Sequence, residues 1–147
     1  MLKRASAVLF ALTLLVLLTA MGGKGGGFER VPRVDKNFSV TVTDASGNKI
    51  SGEKFSWEGR TRFSGYLGLA EVNLPFDRVK ELQVGEKREK KVRVTARLAD
   101  GSEVTLDVDA DSRCYGEAGF GSFMLTMDEI KEISFKGMKE VTPEPRR

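Results

Sequence analysis

The chain has 147 residues, 40% of them hydrophobic and 31% charged, which suits one domain or two very small ones sharing a core. It holds no histidine and one cysteine, which excludes Ser-His-Asp and Cys-His catalysis, imidazole-bound zinc, thiolate clusters and an intramolecular disulfide. Its 24 basic and 21 acidic residues leave a net charge of only +3.

Lys3 and Arg4 precede the apolar run Ala7–Ala20, in which only Thr13 and Thr19 are polar. A short basic segment before an apolar stretch of this length is the pattern of a secretory signal peptide. Ala20-Met21-Gly22 offers a small-x-small cleavage site, so residues 1–22 are expected to form a signal helix and the mature protein to begin at Gly23. The alternative is an uncleaved anchor: Ala5 to Met21 spans 17 residues, the short end of what crosses a bilayer. The expected location is periplasmic or secreted. Without Lys3 and Arg4 the mature chain carries 22 basic residues against 21 acidic, a net of +1. The one dense charge run, Glu86–Lys91, mixes signs and reads as a solvated loop, so nucleic acid is not an expected partner.

Comparing the chain with itself reveals a duplication. Gly65–Val84 aligns without a gap on Gly116–Phe135 at an offset of 51. Gly65, Gly68, Leu74, Asp77, Lys80 and Glu81 fall on Gly116, Gly119, Leu125, Asp128, Lys131 and Glu132. The apolar register also holds, with Val72, Val79, Leu82 and Val84 on Phe123, Ile130, Ile133 and Phe135. Upstream, Ala45–Ile50 parallels Ala99–Val104 at an offset of 54, so the first copy is three residues longer in between. The predicted organisation is a signal segment (1–22), a Gly-rich linker (23–37), a β repeat (38–84), a charged linker (85–91), a second β repeat (92–136) and a tail (137–147).

Within each copy the pattern is that of short strands. Val40 and Val42 alternate with Ser39, Thr41 and Thr43 before the turn signal Asp44–Asn48. Val92, Val94, Ala96 and Leu98 alternate likewise, Asp100-Gly101 supplies a hairpin turn, and Val104, Leu106, Val108 and Ala110 share one strand face. Paired glycines then mark turns or bulges, and a further strand follows (Glu71–Leu74, Ser122–Leu125). Asp77–Leu82 and Asp128–Ile133 space their apolar residues three apart behind an aspartate suited to N-capping, which predicts one helical turn before a last short strand. Four or five strands per copy predict an all-β fold: a small β-sandwich or partly closed barrel built from two tandem repeats of about 47 residues sharing one core.

Several segments carry candidate chemistry. Phe55 and Trp57 lie two apart on a strand, followed by Arg60 and Arg62. Trp57, Arg60 and Arg62 are therefore candidate binding residues, since aromatic and arginine side chains anchor many interfaces, while a core role for the aromatics fits equally. This stretch is where the two copies differ in length. Asp107, Asp109 and Asp111 resemble the opening of a calcium loop, but the sixth and twelfth positions hold Ser112 and Ala118 instead of Gly and Glu. Strand alternation explains the three acids, with a weak cation site as the alternative. Cys114 falls opposite Phe63 in the duplication and reads as a small buried hydrophobe. Gly116–Gly121 lacks the strand-then-helix context of a nucleotide loop. No catalytic residue and no cofactor is expected.

The repeated phrase Gly-x-x-Gly, an apolar strand, then Asp-x-Ile-Lys-x-Ile-x-Phe stands here as Gly116–Phe135 and degenerately as Gly65–Val84. It resembles a motif of uncharacterised bacterial secreted or periplasmic β-rich proteins. The resemblance implies an exported β module and no catalytic residues. The leading expectation is a non-enzymatic module that binds another macromolecule of the envelope or the extracellular space. Its partner is expected to be an envelope protein or a second copy of the chain, with a membrane only through an uncleaved N-terminus. A small-ligand or cation-binding domain on the acidic face is the alternative, and a hydrolase the third reading.

Overall fold

The computed structural model describes residues 31–140. The expected signal helix, most of the Gly-rich linker and the end of the tail lie outside the described residues. Strand β1 (Lys36–Asp44), β2 (Lys49–Trp57), β3 (Arg62–Leu67), β4 (Ala70–Pro75), a 3-10 turn (Phe76–Arg78) and β5 (Val79–Arg88) make up the first half. The second half repeats them as β6 (Lys91–Leu98), β7 (Glu103–Asp109), β8 (Arg113–Ala118), β9 (Gly121–Thr126), a 3-10 turn (Met127–Glu129) and β10 (Ile130–Glu140).

The ten strands form one antiparallel sheet in the order β4-β3-β7-β6-β5-β10-β1-β2-β8-β9, curled into a half-barrel. Exchanging each strand for the one five places along the chain returns the same order read backwards. A pseudo-twofold axis therefore runs between β5 and β10. The halves are interleaved: the β3–β4 hairpin pairs onto β7 of the second half, and the β8–β9 hairpin pairs onto β2 of the first.

The alternation along the sequence becomes the two faces of this sheet. Val40, Val42, Val92, Val94, Ala96, Leu106 and Val108 are all buried on the concave side. Phe76, carried by the first 3-10 turn, sits at the centre of an aromatic cluster, with ring centroids 5.4 Å from Phe38, 5.6 Å from Phe55, 4.7 Å from Phe63 and 5.1 Å from Phe135. Its counterpart in the second half is Met127, whose Sδ accepts from the Cys114 Sγ at 3.5 Å. Cys114, the counterpart of Phe63 in the duplication, is buried as Phe63 is, and burial pushes its thiol pKa far up. An apolar burial of this kind makes a small hydrophobe of the thiol.

Three local expectations change. Asp77–Leu82 is not a helical turn: the 3-10 turn stops at Arg78, its N-cap is Pro75, and β5 runs on for 10 residues. The three-residue spacing of buried Val79 and Leu82 comes from a bulge between Val79 and Glu81, which adds one residue to a period of two. Residues 85–91 are not a separate linker, because β5 and β6 run through them as a hairpin turning at Glu89-Lys90, with Glu89 left-handed at φ 57°. The tail starts later than expected, since Gly137–Glu140 pair with Lys36–Ser39 as the end of β10.

Candidate functional site

The three extra residues of the first copy lie where β2 passes into β3. Lys54, at φ 51°, marks a bulge that shifts the pairing of β2 with β8. Beyond it the chain turns through Glu58 (φ 51°) and Gly59 (φ 76°), both left-handed, as a type I′ turn requires. Trp57 and Arg60 close the turn with paired backbone bonds of 2.8 and 2.9 Å. The Glu58 N–H donates to the Arg113 carbonyl at 2.8 Å, and the Arg113 N–H returns a 2.6 Å bond to Glu58 Oε1. The turn is therefore stapled to the start of β8.

This geometry separates the candidate residues. Trp57 is 7% exposed and belongs to the core, so its ring is no free contact surface, whereas Arg60 and Arg62 are exposed. The bulge leaves three successive residues, Phe55, Ser56 and Trp57, buried together. Ser56 Oγ and Trp57 Nε1 have no hydrogen-bond partner among the described residues.

Arg60 and Arg62 meet side chains that sequence reasoning did not connect to them. Arg33 and Lys36, from the stretch leading into β1, share with them a depression of about 430 Å³ at the end of the half-barrel, with Asp35 and Asp77 on its wall. Lys36 is paired with Asp77 at 3.4 Å. Arg33, Arg60 and Arg62 form no ion pair with a described residue. Only the chain path brings Arg33 beside Arg60, through Pro32, which lies 3.1 Å from where a Cβ on Gly59 would stand. Spacing in the sequence could not show that contact.

The acidic stretch is the polar face of β7. Asp107 and Asp109 alternate with buried Leu106, Val108 and Ala110, while Asp111 is exposed in the turn to β8. Asp107 faces Arg93 at 3.6 Å and Asp109 is bound by Lys91, whose ammonium also lies 5.1 Å from the Tyr66 ring centroid. The hydrogen bond to Asp109 raises the Lys91 pKa. Among the described residues no three carboxylates or thiols stand together as a metal site. The structure does not bring Asp107, Asp109 and Asp111 together as ligands.

The sheet ends in two equivalent hairpins. At their tips Leu69 is fully exposed and its counterpart Phe120 is 81% exposed. The outer strands differ in a telling way. Alternation from the Leu67–Ala70 and Ala118–Gly121 closing pairs turns the backbone groups of residues 71, 73 and 75 outward on β4, and of residues 122, 124 and 126 outward on β9. On β4 those positions hold Glu71, Asn73 and Pro75, a charge and a residue without an N–H; on β9 they hold Ser122, Met124 and Thr126.

A family model described as "Uncharacterised protein" matches residues 34–138, which takes in nearly the whole sheet. No curated protein and no solved structure matches the chain.

Proposed function

The chain belongs to that family of uncharacterised proteins, and we propose that it is an exported, non-enzymatic module that binds an envelope protein by taking one of its strands onto the edge of β9. The observation that carries this reading is the contrast between the two edges of one duplicated sheet. Natural sheets blunt their edges with charge, proline or cover, because an open row of N–H and C=O groups recruits further strands. β4 is blunted in this way. β9, built on the same template, carries no charged residue over Gly121–Thr126 and pairs with β8 alone among the described strands. Strand addition draws its affinity from main-chain hydrogen bonds, and the exposed Phe120 beside the edge supplies an apolar anchor. The charge-then-apolar N-terminus supports export.

The test is photo-cross-linking in cells with a reactive residue at position 120, compared with the equivalent position 69. Met124→Pro removes an outward N–H and leaves the ladder to β8 intact, a change edge strands tolerate. We expect a discrete envelope-protein adduct from position 120 that disappears in Met124→Pro while the melting temperature holds. An adduct that survives the proline, or that forms equally from position 69, would overturn the reading.

A further inference from the structure

We propose that the depression bounded by Arg33, Arg60 and Arg62 is a binding site for a phosphate monoester dianion, the chemistry shared by small phosphorylated metabolites and by a lipid headgroup ending in phosphate. The duplication supplies the control for this inference. Whatever the half-barrel needs in order to fold has a counterpart in both copies: the 3-10 turns do, and so do their aspartates, Asp77 bound by Lys36 at 3.4 Å and Asp128 by Lys87 at 3.2 Å. The second copy also turns between the matching strands, at Ala110-Asp111, but it is three residues shorter between Leu106 and Arg113 than the first between Gly52 and Arg62, and Ser112 follows its turn where Arg60 follows the first. The turn that carries Arg60 is fixed on every side. Trp57 is buried beneath it, the Trp57–Arg60 backbone pair closes it, Glu58 ties it to Arg113, and Gly59 rests against Pro32.

Charge decides the class of ligand. The Lys36–Asp77 pair is neutral, so the lining leaves Arg33, Arg60 and Arg62 against Asp35 and the depression holds a net charge of +2. A phosphate monoester carries close to two negative charges at neutral pH and offers three acceptor oxygens. Guanidinium forks match those oxygens in pairs, and each charge-assisted bond is about twice as strong as a neutral one. A volume of about 430 Å³ leaves room for the organic part of the ester beyond the phosphate. A monocarboxylate would leave one positive charge unmatched.

The experiment is titration calorimetry on the purified protein at low ionic strength, with glycerol 3-phosphate as the soluble probe. Vesicles of phosphatidic acid in phosphatidylcholine, against phosphatidylcholine alone, form the second arm. We expect saturable binding that weakens by about tenfold or more in Arg60→Gln and again in Arg62→Gln. Lys87→Gln, at the equivalent end of the second half, should leave it unchanged. Preference for the vesicles assigns the phosphate to a lipid, and preference for the soluble ester assigns it to a metabolite. Affinity that is unmoved by Arg60→Gln and Arg62→Gln, or wild-type protein that binds neither probe at millimolar concentration, would overturn the site. Neither variant touches β9: β8 stands between it and the Arg60 turn, and Arg62 begins β3 toward the other edge of the sheet, so this site and the strand-edge reading stand or fall separately.

Discussion

Phe123 shows how a single side chain fixes an edge. Its ring lies across two glycines on neighbouring strands: a Cβ on Gly116 would stand 2.4 Å from Cζ, and a Cβ on Gly52 would stand 2.5 Å from Cε1. Both contacts are well inside van der Waals distance, so neither position admits a side chain while the ring stays put. The ring cannot easily leave, since Phe123 is 7% exposed and packs into the core cluster. The matched Gly65 is held bare for a different reason, a Cβ there falling 2.8 Å from the Asp107 carbonyl. Of the glycines aligned in the two copies, Gly65 and Gly116 are therefore sites of close approach within strands, whereas Gly68 and Gly119 lie in the two hairpin turns. Gly116→Ala should cost about 1–3 kcal/mol by overpacking, read as a lower urea midpoint. An unchanged midpoint would mean that the ring has somewhere else to go.

The seam between β5 and β10 brings two equivalent glutamates together on a diagonal, Glu81 opposite Ser134 and Glu132 opposite Gln83. The hydrogen bond between their carboxyls holds Glu81 below the ordinary glutamate range and pushes Glu132 above it, and Arg97 adds to the hold on Glu81. Of the two, Glu132 is the one that takes up a proton more readily as pH falls. By linkage, the stability that Glu132 contributes is present in acid and is lost as pH rises through its raised pKa. The contribution of Glu81 runs the other way: it is present above the ordinary value and is lost as pH falls through its lowered pKa. Stability should therefore peak in the mildly acidic range just above the ordinary glutamate value and decline toward neutral pH. Glu132→Gln supplies a donor that never ionises, so urea midpoints of this variant should lack the decline between mildly acidic and neutral pH. A profile identical to wild type would remove the pair from the pH response. At this scale the sequence was partly legible. Val40/Val42 and Val92/Val94/Ala96 declared their strands by strict alternation. Val79 and Leu82 did not, because a bulged strand and a helical turn both space apolar residues three apart. The β9 edge was illegible because a six-residue strand does not declare which neighbour it lacks.

Interleaving governs the whole molecule. Self-comparison exposed the duplication, but similar copies fit equally well as two side-by-side units or as exchanged hairpins. Nothing in the residues says that β3 will cross to β7 instead of staying with β2. The cationic depression was legible only in its Arg60 and Arg62 half for the same reason, since Arg33 reaches it along a path that the fold alone determines. Crossing has an energetic consequence. A half-chain of residues 31–88 leaves its β3–β4 hairpin without β7 and its β2 without β8, exposing apolar faces that only the other half covers. A chain of about 60 residues buries only about 60% of its surface even when its fold is complete, so this deficit is decisive. Fragments 31–88 and 89–140 should each be unfolded as monomers by circular dichroism. Mixed in equal amounts, they should regain the strand signal and one cooperative melt at the size of a one-to-one complex. A first half that melts cooperatively as a monomer would show instead that its hairpin closes onto its own sheet, and that the crossing is a preference of the full chain and not the condition of its folding.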